Sequence, residues 1–298
     1  MNKSNEYLRK WLSELEYNGT VVDSPRTKWS DGEPAYYTSV KQKVAEYDII
    51  QDEFPINTLR PTALRGCFEE ISWIYQAQSS YLNILHPDIR SWWSDFVVNK
   101  QDPVENWHIG QRYGHTVARY NLMDKLLSGL LHNPFGRRHQ IDLWQEQEFV
   151  DDPNSLPPCV FLSMWSVSQY EDDFYDDAET IPNRYLDLTI IQRSMDALMT
   201  HSINPTEYTM LGMMVVSHLN FHQKEAHYKL ANIVHIINDY HVYDRHQVYI
   251  GELLSRDREL DLIQPTIKLK ESKDFYDIKW EDFEIEGSIP FILWIGFV

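Results

Sequence analysis

Strand-like runs alternate with helical runs through most of the chain, and this order constrains the fold more than any other feature. The strand-like runs are apolar or alternate apolar with polar residues, whereas the helical runs repeat apolar residues at helical spacing. Strands are predicted at 35–54 (two runs), 138–144, 159–169, 185–193 and 232–243. Helices are predicted at 1–20, 62–85, 116–132, 205–220 and 244–256. We therefore predict an α+β fold in which helices cover a large, mostly antiparallel or mixed sheet.

The sequence gives no sign of a second domain. It contains no internal repeat, low-complexity tract or clear linker, so one domain is expected over residues 1–298. Residues 22–34 are rich in Pro, Gly, Ser and charge and predict a loop, as does the acidic segment 146–158. A second acidic segment, residues 170–183, lies between two predicted strands and either binds a partner or only extends a hairpin.

Charge and cysteine content exclude several classes of protein. The formal net charge of −18 argues against a nucleic-acid surface, which requires a basic stripe. A few arginines in a cleft can still bind a small anion. The two cysteines, Cys67 and Cys159, do not resemble a secreted disulfide framework, and no stretch approaches the roughly 18 apolar residues of a membrane span. We expect a cytoplasmic chain that does not associate with membranes.

Cys159 is the strongest candidate for a reactive group. Pro157 and Pro158 restrict the backbone before it and hold it in a defined place. A thiolate is a strong nucleophile whose pKa falls near cations. Taken alone, however, a buried structural cysteine is the more common outcome for such a residue.

Three further polar groups suit an anionic, hydroxylated ligand. Arg193 and Ser194 follow a predicted strand and suit a phosphate. The adjacent Arg137 and Arg138 could also bind one, although two solvated charges are the more common outcome for such a pair taken alone. His241 and Tyr243 lie two residues apart on a predicted strand, so both point to the same face. They can share one ligand hydroxyl. A zinc site is the weaker alternative, because no second ligand pair accompanies them.

These segments follow the order of motifs in the thymidylate synthase family, which the chain resembles from about residue 26 to residue 287. Any one match is weak, but together and in order they are specific. The matching segments are Arg26-Thr27, Glu70-x-x-Trp73, Tyr113-Gly114, Asn133-Pro134-x-x-Arg137-Arg138, Pro158-Cys159, Gln192-Arg193-Ser194-x-Asp196, Asn204, His241-x-Tyr243 and Asp282-Phe283-x-Ile285-x-Gly287.

The resemblance implies a role for each matching residue. Cys159 would add to C6 of a pyrimidine, so that C5 attacks the methylene group of the co-substrate 5,10-methylenetetrahydrofolate. Glu70 would organise a water for proton transfer, and Tyr113 and Asp196 would complete the catalytic group. The expected nucleotide ligands are Arg26, Arg193 and Ser194 for phosphate, His241 and Tyr243 for the sugar, and Asn204 for the base. The expected folate contacts are Asp196, Trp93 and Phe96, with Trp92 competing for the stacking role.

The resemblance also implies an assembly. The family forms homodimers through a sheet face, so Arg137 and Arg138 would reach the nucleotide of the other subunit. No metal is expected.

Several departures from the family pattern point to a particular member of it. Val160 replaces the histidine that usually follows the nucleophile, and Gln76-Ala77-Gln78-Ser79 replaces Gly-Asp-Thr-Asn. Ser202-Ile203-Asn204-Pro205 replaces Pro-Phe-Asn-Ile, and the last residues, 294–298, do not match the usual apolar tail. The bacteriophage hydroxymethylases of this family share the first two departures. They let water, rather than hydride, complete the reaction.

We therefore expect a deoxyuridylate hydroxymethylase, acting in a virus with modified DNA. Asn204 favours dUMP, because an amide can donate to O4 and accept from N3–H of uracil. The alternatives are a divergent thymidylate synthase, a hydroxymethylase of cytosine nucleotides, and a related nucleotide-binding module without catalysis.

Overall fold

One mixed sheet organises the chain in the computed structural model, which describes residues 1–25, 27–170 and 181–287. The strands are β1 (Thr20–Val22), β2 (Tyr37–Asp48), β3 (His139–Asp142), β4 (Val160–Ser168), β5 (Asn183–Gln192), β6 (Met195–Asp196) and β7 (His227–Tyr243). Their order is β1-β2-β7-β5-β4-β3, and β6 also pairs with β7. β5 and β6 run parallel to β7, whereas the other neighbours are antiparallel. A small second sheet pairs β8 (Thr266–Leu269) with β9 (Phe283–Glu286).

Helices cover one face of the large sheet, as the α+β prediction requires. They are α1 (Lys3–Asn18), α2 (Leu64–Ile71), α3 (Arg90–Trp93), α4 (Gly114–Tyr120), α5 (Leu122–His132), α6 (Glu146–Asp151), α7 (Ile203–His222) and α8 (Val248–Ser255). The long helix α7 is apolar around most of its circumference because it lies in the core, between the sheet and α2.

The predicted helix over 62–85 is wrong in its second half. The helix α2 continues only as a wider π turn over Ser72–Gln76. Gln78 then adopts a positive φ of 49°, and Leu82 N donates to the carbonyl of Trp107. Backbone hydrogen bonds to a distant segment thus replace the intrahelical bonds.

Two other boundaries also differ from prediction. Asn121 adopts the left-handed conformation, with a φ of 50°, and divides the helix predicted at 116–132 into α4 and α5. The two runs predicted within 35–54 form the single strand β2, because β7 pairs with it from Tyr37 to Asp48. The acidic segment before Cys159 contains the short helix α6 rather than loop alone. Most of the other acidic segment, 170–183, lies outside the described residues.

Candidate active site

The sheet places Cys159 at the edge of a polar cleft. Cys159 immediately precedes β4, and Arg193 immediately follows β5. These two strands pair in antiparallel register, with Val160 opposite Gln192, and the Arg193 N–H donates to the Cys159 carbonyl at 2.9 Å. The strand ladder therefore fixes which side chain faces the thiol.

Arg193 supplies a positive charge beside that thiol. Its Nη2 atom lies 3.7 Å from Sγ of Cys159, and its guanidinium also donates to the carbonyls of Pro157 at 2.8 Å and Pro158 at 2.9 Å. Burial raises the pKa of the Cys159 thiol, and Arg193 opposes that shift by favouring the thiolate. The proline-rich turn and the cation thus hold one another in place.

Tyr113 braces the other side of Cys159. Its hydroxyl accepts a hydrogen bond from the Cys159 N–H at 3.2 Å, and its ring packs edge-on against Trp93 at 5.0 Å between centroids. Tyr113 has a positive φ of 55°, an uncommon conformation for an aromatic residue. Gly114 follows it because a side chain there would overlap the backbone of Ser79.

Two buried carboxyl groups, Glu70 and Glu207, lie together beneath this cleft. Burial raises the pKa of Glu70 well above its usual range, and the charge of Glu207 raises it further, whereas Trp93 lowers it. Burial raises the pKa of Glu207 to about 7, although a hydrogen bond from Asn204 favours its charged form. At neutral pH the proton of the pair therefore resides mainly on Glu70.

Asn204 connects Glu207 to the sheet. Its Nδ2 donates to Glu207 Oε2 at 3.1 Å, and its Oδ1 accepts from Gln192 Nε2 at 3.1 Å. Gln192 Nε2 also donates to the Ser194 carbonyl at 2.8 Å, and its Oε1 faces Nε2 of His235 at 2.9 Å. Burial lowers the pKa of His235 to about 3, so the ring is neutral. A continuous row of side chains thus orients the Asn204 amide.

His241 and Tyr243 share one face of β7, as their spacing predicts, and their ring centroids are 5.1 Å apart. His241 Nδ1 lies 3.1 Å from Oδ1 of Asp239, so the other ring nitrogen is left to accept. β6 places Asp196 directly opposite His241. Burial raises the pKa of Tyr243, and the Asp196 charge raises it further. Asp196 Oδ1 also accepts from two backbone N–H groups, at Leu198 and Met199.

Not every predicted residue joins this cleft. Arg137 and Arg138 are exposed in the turn before β3, where neither pairs with another described residue. Phe96 packs against Trp93 but is 41% exposed, while Trp92 packs over Gly66 instead. Arg26 lies outside the described residues.

The second cysteine, Cys67, is a buried structural cysteine, which is the more common outcome for an isolated cysteine. Cys67 is fully buried in α2, with its Sγ atom 3.8 Å from the carbonyl of Ile203. Burial raises its pKa well above the usual range, which disfavours the thiolate. Cys67 is therefore part of the core.

Sequence reasoning missed Glu207, His235 and Asp239. One signal for Glu207 was available, because it is an acidic residue in the otherwise apolar α7, three positions after Asn204 and so on the same face. Asp239 likewise stands two positions before His241 on β7. His235 gave no such signal, because its partner Gln192 comes from another strand.

This arrangement matches the chemistry of one known family. The thymidylate synthase family model matches residues 11–290, which is nearly the whole chain. The chain belongs to the thymidylate synthase family. It is 33% identical to a thymidylate synthase of Lactococcus lactis subsp. cremoris, over 97% of this chain and 96% of that protein. It is 32% identical to a thymidylate synthase of Streptococcus gordonii, with the same coverage.

A solved structure supports the same assignment. The thermostable thymidylate synthase A of Bacillus subtilis superposes with a TM-score of 0.74 at 26% identity, covering 94% of each chain. The expected fold is confirmed. The chain is accordingly an enzyme of a one-carbon transferase family that uses 5,10-methylenetetrahydrofolate as co-substrate. These relatives are named thymidylate synthase, so they favour the synthase alternative over the hydroxymethylase expectation.

The structure also bears on the expected absence of membrane spans. Across residues 1–25, 27–170 and 181–287, no helix combines the length and apolar character needed to cross a membrane.

Proposed function

We propose that this enzyme is a thymidylate synthase, which converts dUMP and 5,10-methylenetetrahydrofolate into dTMP and dihydrofolate. The observation that carries the proposal is the contact between Arg193 and the Cys159 thiol, 3.7 Å apart, in a cleft that also contains the Asn204 amide and a buried carboxyl pair. Nearly full-length similarity to thymidylate synthases supports the same reaction.

The residues suit the steps of that reaction. Cys159 Sγ adds to C6 of the uracil ring, and the electron pair released to the ring makes C5 nucleophilic. C5 bonds to the folate methylene, and the C5 proton leaves to a base reached through the Glu70 water. The bond from the methylene to the folate N10 breaks as C5 bonds to it, and the bond to N5 breaks as the C5 proton leaves, which gives an exocyclic methylene and tetrahydrofolate. Hydride from the tetrahydrofolate then reduces this methylene to a methyl group, and the bond between Cys159 and C6 breaks and releases the thiolate. The products are dTMP and dihydrofolate, so atoms and electrons balance.

We also propose which residues contact the nucleotide and the folate. Arg193 and Ser194, with Arg26, are proposed to bind the phosphate, and His241 and Tyr243 the sugar hydroxyl. The remaining Asn204 lone pair and N–H serve the base. Trp93 and Asp196 are proposed to contact the folate, with Phe96 at the exposed rim.

We further propose a homodimer that forms through the outer face of the sheet. This face carries a half-exposed apolar row, in which Val44 on β2 lies opposite Ile236 on β7, and Ile236 lies opposite Ile191 on β5. Val44 is 46% exposed. A row of this kind suits a self-complementary interface. The exposed Arg137 and Arg138 would then enter the nucleotide site of the partner.

Hydroxymethylation of dUMP is the second candidate, and one sequence observation favours it. Val160 stands where a histidine usually follows the nucleophile, in a buried position at the start of β4. Without that polar neighbour, water attack on the exocyclic methylene intermediate would give 5-hydroxymethyl-dUMP and tetrahydrofolate.

One assay separates these reactions. The protein is incubated with dUMP and 5,10-methylenetetrahydrofolate, dihydrofolate absorbance is followed, and the nucleotide product is identified by mass, with Cys159→Ser as the control. Equal amounts of dTMP and dihydrofolate support the proposal. Hydroxymethyl-dUMP without dihydrofolate supports the second candidate, and nucleotide binding without turnover contradicts both.

A further inference from the structure

Glu207 is buried on α7, one turn after Asn204, and the reaction steps above assign it no task. We propose that Glu207 is a specificity-determining positioning residue that fixes the direction of the Asn204 amide and so makes the site select uracil over cytosine. This inference rests on the proposed action on a pyrimidine nucleotide.

The first end of the row is fixed by Ser194. Its backbone carbonyl can only accept, so the Gln192 atom 2.8 Å away must be the NH2 group. That NH2 group also faces Asn204 at 3.1 Å, where it must meet an acceptor. The oxygen of the Asn204 amide therefore points to Gln192.

The other end is fixed by Glu207. An ionised carboxylate only accepts, so the Asn204 atom 3.1 Å from Glu207 Oε2 must be the NH2 group. The two ends agree, and the Asn204 amide has one favourable orientation. It retains one N–H and one oxygen lone pair for a ligand, at fixed positions.

Those two positions discriminate between pyrimidines. Uracil presents a donor at N3 and an acceptor at O4, whereas cytosine presents an acceptor at N3 and a donor at N4. Because C6 must meet the Cys159 thiol, the ring cannot turn to exchange these positions. To hydrogen-bond with cytosine, the Asn204 amide would have to flip. The flip would place its oxygen against the Glu207 carboxylate and its NH2 group against the NH2 group of Gln192.

The buried surroundings keep Glu207 as the accepting partner. Burial raises the pKa of Glu70 and of Glu207, and the charge of Glu207 raises the pKa of Glu70 further, whereas the hydrogen bond with Glu70 favours the charged form of Glu207. The hydrogen bond from Asn204 favours the charged form of Glu207. These shifts favour a proton on Glu70 and make Glu207 the member of the pair that ionises more readily and accepts from Asn204.

The test compares dUMP and dCMP, both as dissociation constants from calorimetry and as kcat/KM. In Glu207→Gln, the new amide can present either NH2 or oxygen to Asn204, so the penalty on the flipped orientation falls. We expect the preference for dUMP over dCMP to decrease about tenfold or more. Tyr208→Phe is the matched control, because it removes a neighbouring buried hydroxyl that bonds to Tyr75, and it should leave the preference unchanged.

A second variant covers the case in which Glu207→Gln folds poorly. Asn204→Asp alone would place two carboxylates against each other, whereas Asn204→Asp combined with Glu207→Gln would restore a donor to that carboxylate. The double variant should then bind dCMP more tightly than Asn204→Asp does.

An unchanged preference for dUMP over dCMP in Glu207→Gln, or no gain in dCMP affinity in the double variant, overturns the inference. Wild-type protein that prefers dUMP over dCMP in binding but turns over neither nucleotide contradicts the proposed function and not this inference. The two outcomes can be told apart because the dissociation constants are measured separately from turnover.

Discussion

The guanidinium of Arg193 contacts the Cys159 thiol and the carbonyls of the two prolines that precede it. One side chain thus braces the loop that carries the nucleophile and lowers the cost of ionising it. The loop and the cation come from neighbouring strands, β4 and β5. Cys67 is fully buried and has no such cation beside it, whereas Cys159 is half-buried and faces Arg193.

Removing the Arg193 charge should make Cys159 less reactive. In Arg193→Met the pKa of the thiol should rise, because burial would no longer be opposed by the cation. The pH profile of Cys159 alkylation, followed by mass spectrometry, should move to higher pH, with slower reaction at neutral pH. Arg184→Met, at the opposite end of β5, is the control and should leave the profile in place. An unmoved profile in Arg193→Met would show that the cation does not tune the thiol.

Cys159→Ser should abolish turnover while nucleotide binding persists. The hydroxyl is a much weaker nucleophile than a thiolate, and the groups proposed to bind phosphate and sugar are untouched. Turnover is measured by dihydrofolate release and binding by calorimetry with dUMP. Cys67→Ala should keep its turnover and lose only core packing, at a cost of about 1–2 kcal/mol. Full activity in Cys159→Ser would rule out the covalent route.

A charge on the outer face of the sheet should prevent dimerisation. Ile236→Glu places a carboxylate in the apolar row between Val44 and Ile191, where a second copy would have to bury it. Sedimentation should show a dimer for the wild type and a monomer for the variant. Val150→Glu, at a residue that is 74% exposed on α6, is the matched control. A dimeric Ile236→Glu variant would place the interface elsewhere.

Gly114→Ala should destabilise the protein and disturb Tyr113. The added methyl group would overlap backbone atoms of Ser79, which cannot move as a flexible side chain can. We expect a loss of about 1–3 kcal/mol in the free energy of unfolding, with lower turnover in the fraction that folds. Gly251→Ala in α8 has open space around it and should be neutral or slightly stabilising. Denaturant unfolding of both variants would show whether the close approach at Ser79 is the cause.

Asp274 should contribute stability that depends on pH. Its carboxylate lies 2.6 Å from Nε2 of His222 and accepts from the Tyr276 N–H, and these contacts lower its pKa despite partial burial. A depressed carboxyl pKa gives stability that is present above the unfolded pKa and is lost as pH falls through the folded pKa. Asp274→Asn should therefore cost about 1 kcal/mol at neutral pH and progressively less in acid.

Urea unfolding at several pH values measures this difference. Asp277→Asn, at an exposed neighbour, should cost little at any pH. A cost for Asp274→Asn that is the same in acid and at neutral pH would exclude the ionised carboxylate as its source.

The sequence predicted the strands better than the helix boundaries. β4, β5 and α7 lie close to their predicted positions because their apolar patterns are long and regular, whereas β7 begins at His227, ahead of its predicted start at 232. Helix ends depend on single residues and distant partners. Asn121 breaks one predicted helix through its own backbone conformation, and the tertiary hydrogen bond between Leu82 and Trp107 helps to end another.

By itself, the sequence indicated the order of the main elements, the candidate nucleophile Cys159 and the same-face pairing of His241 with Tyr243. Each of these depends on local spacing, which strand and helix periodicity converts directly into geometry. Only the tertiary structure placed Arg193 beside Cys159 and Glu207 beside Glu70. Those pairs join residues 34 and 137 positions apart, and their strengths depend on burial, which raises the cost of each charge and is set by the packing of α2 and α7 against the sheet.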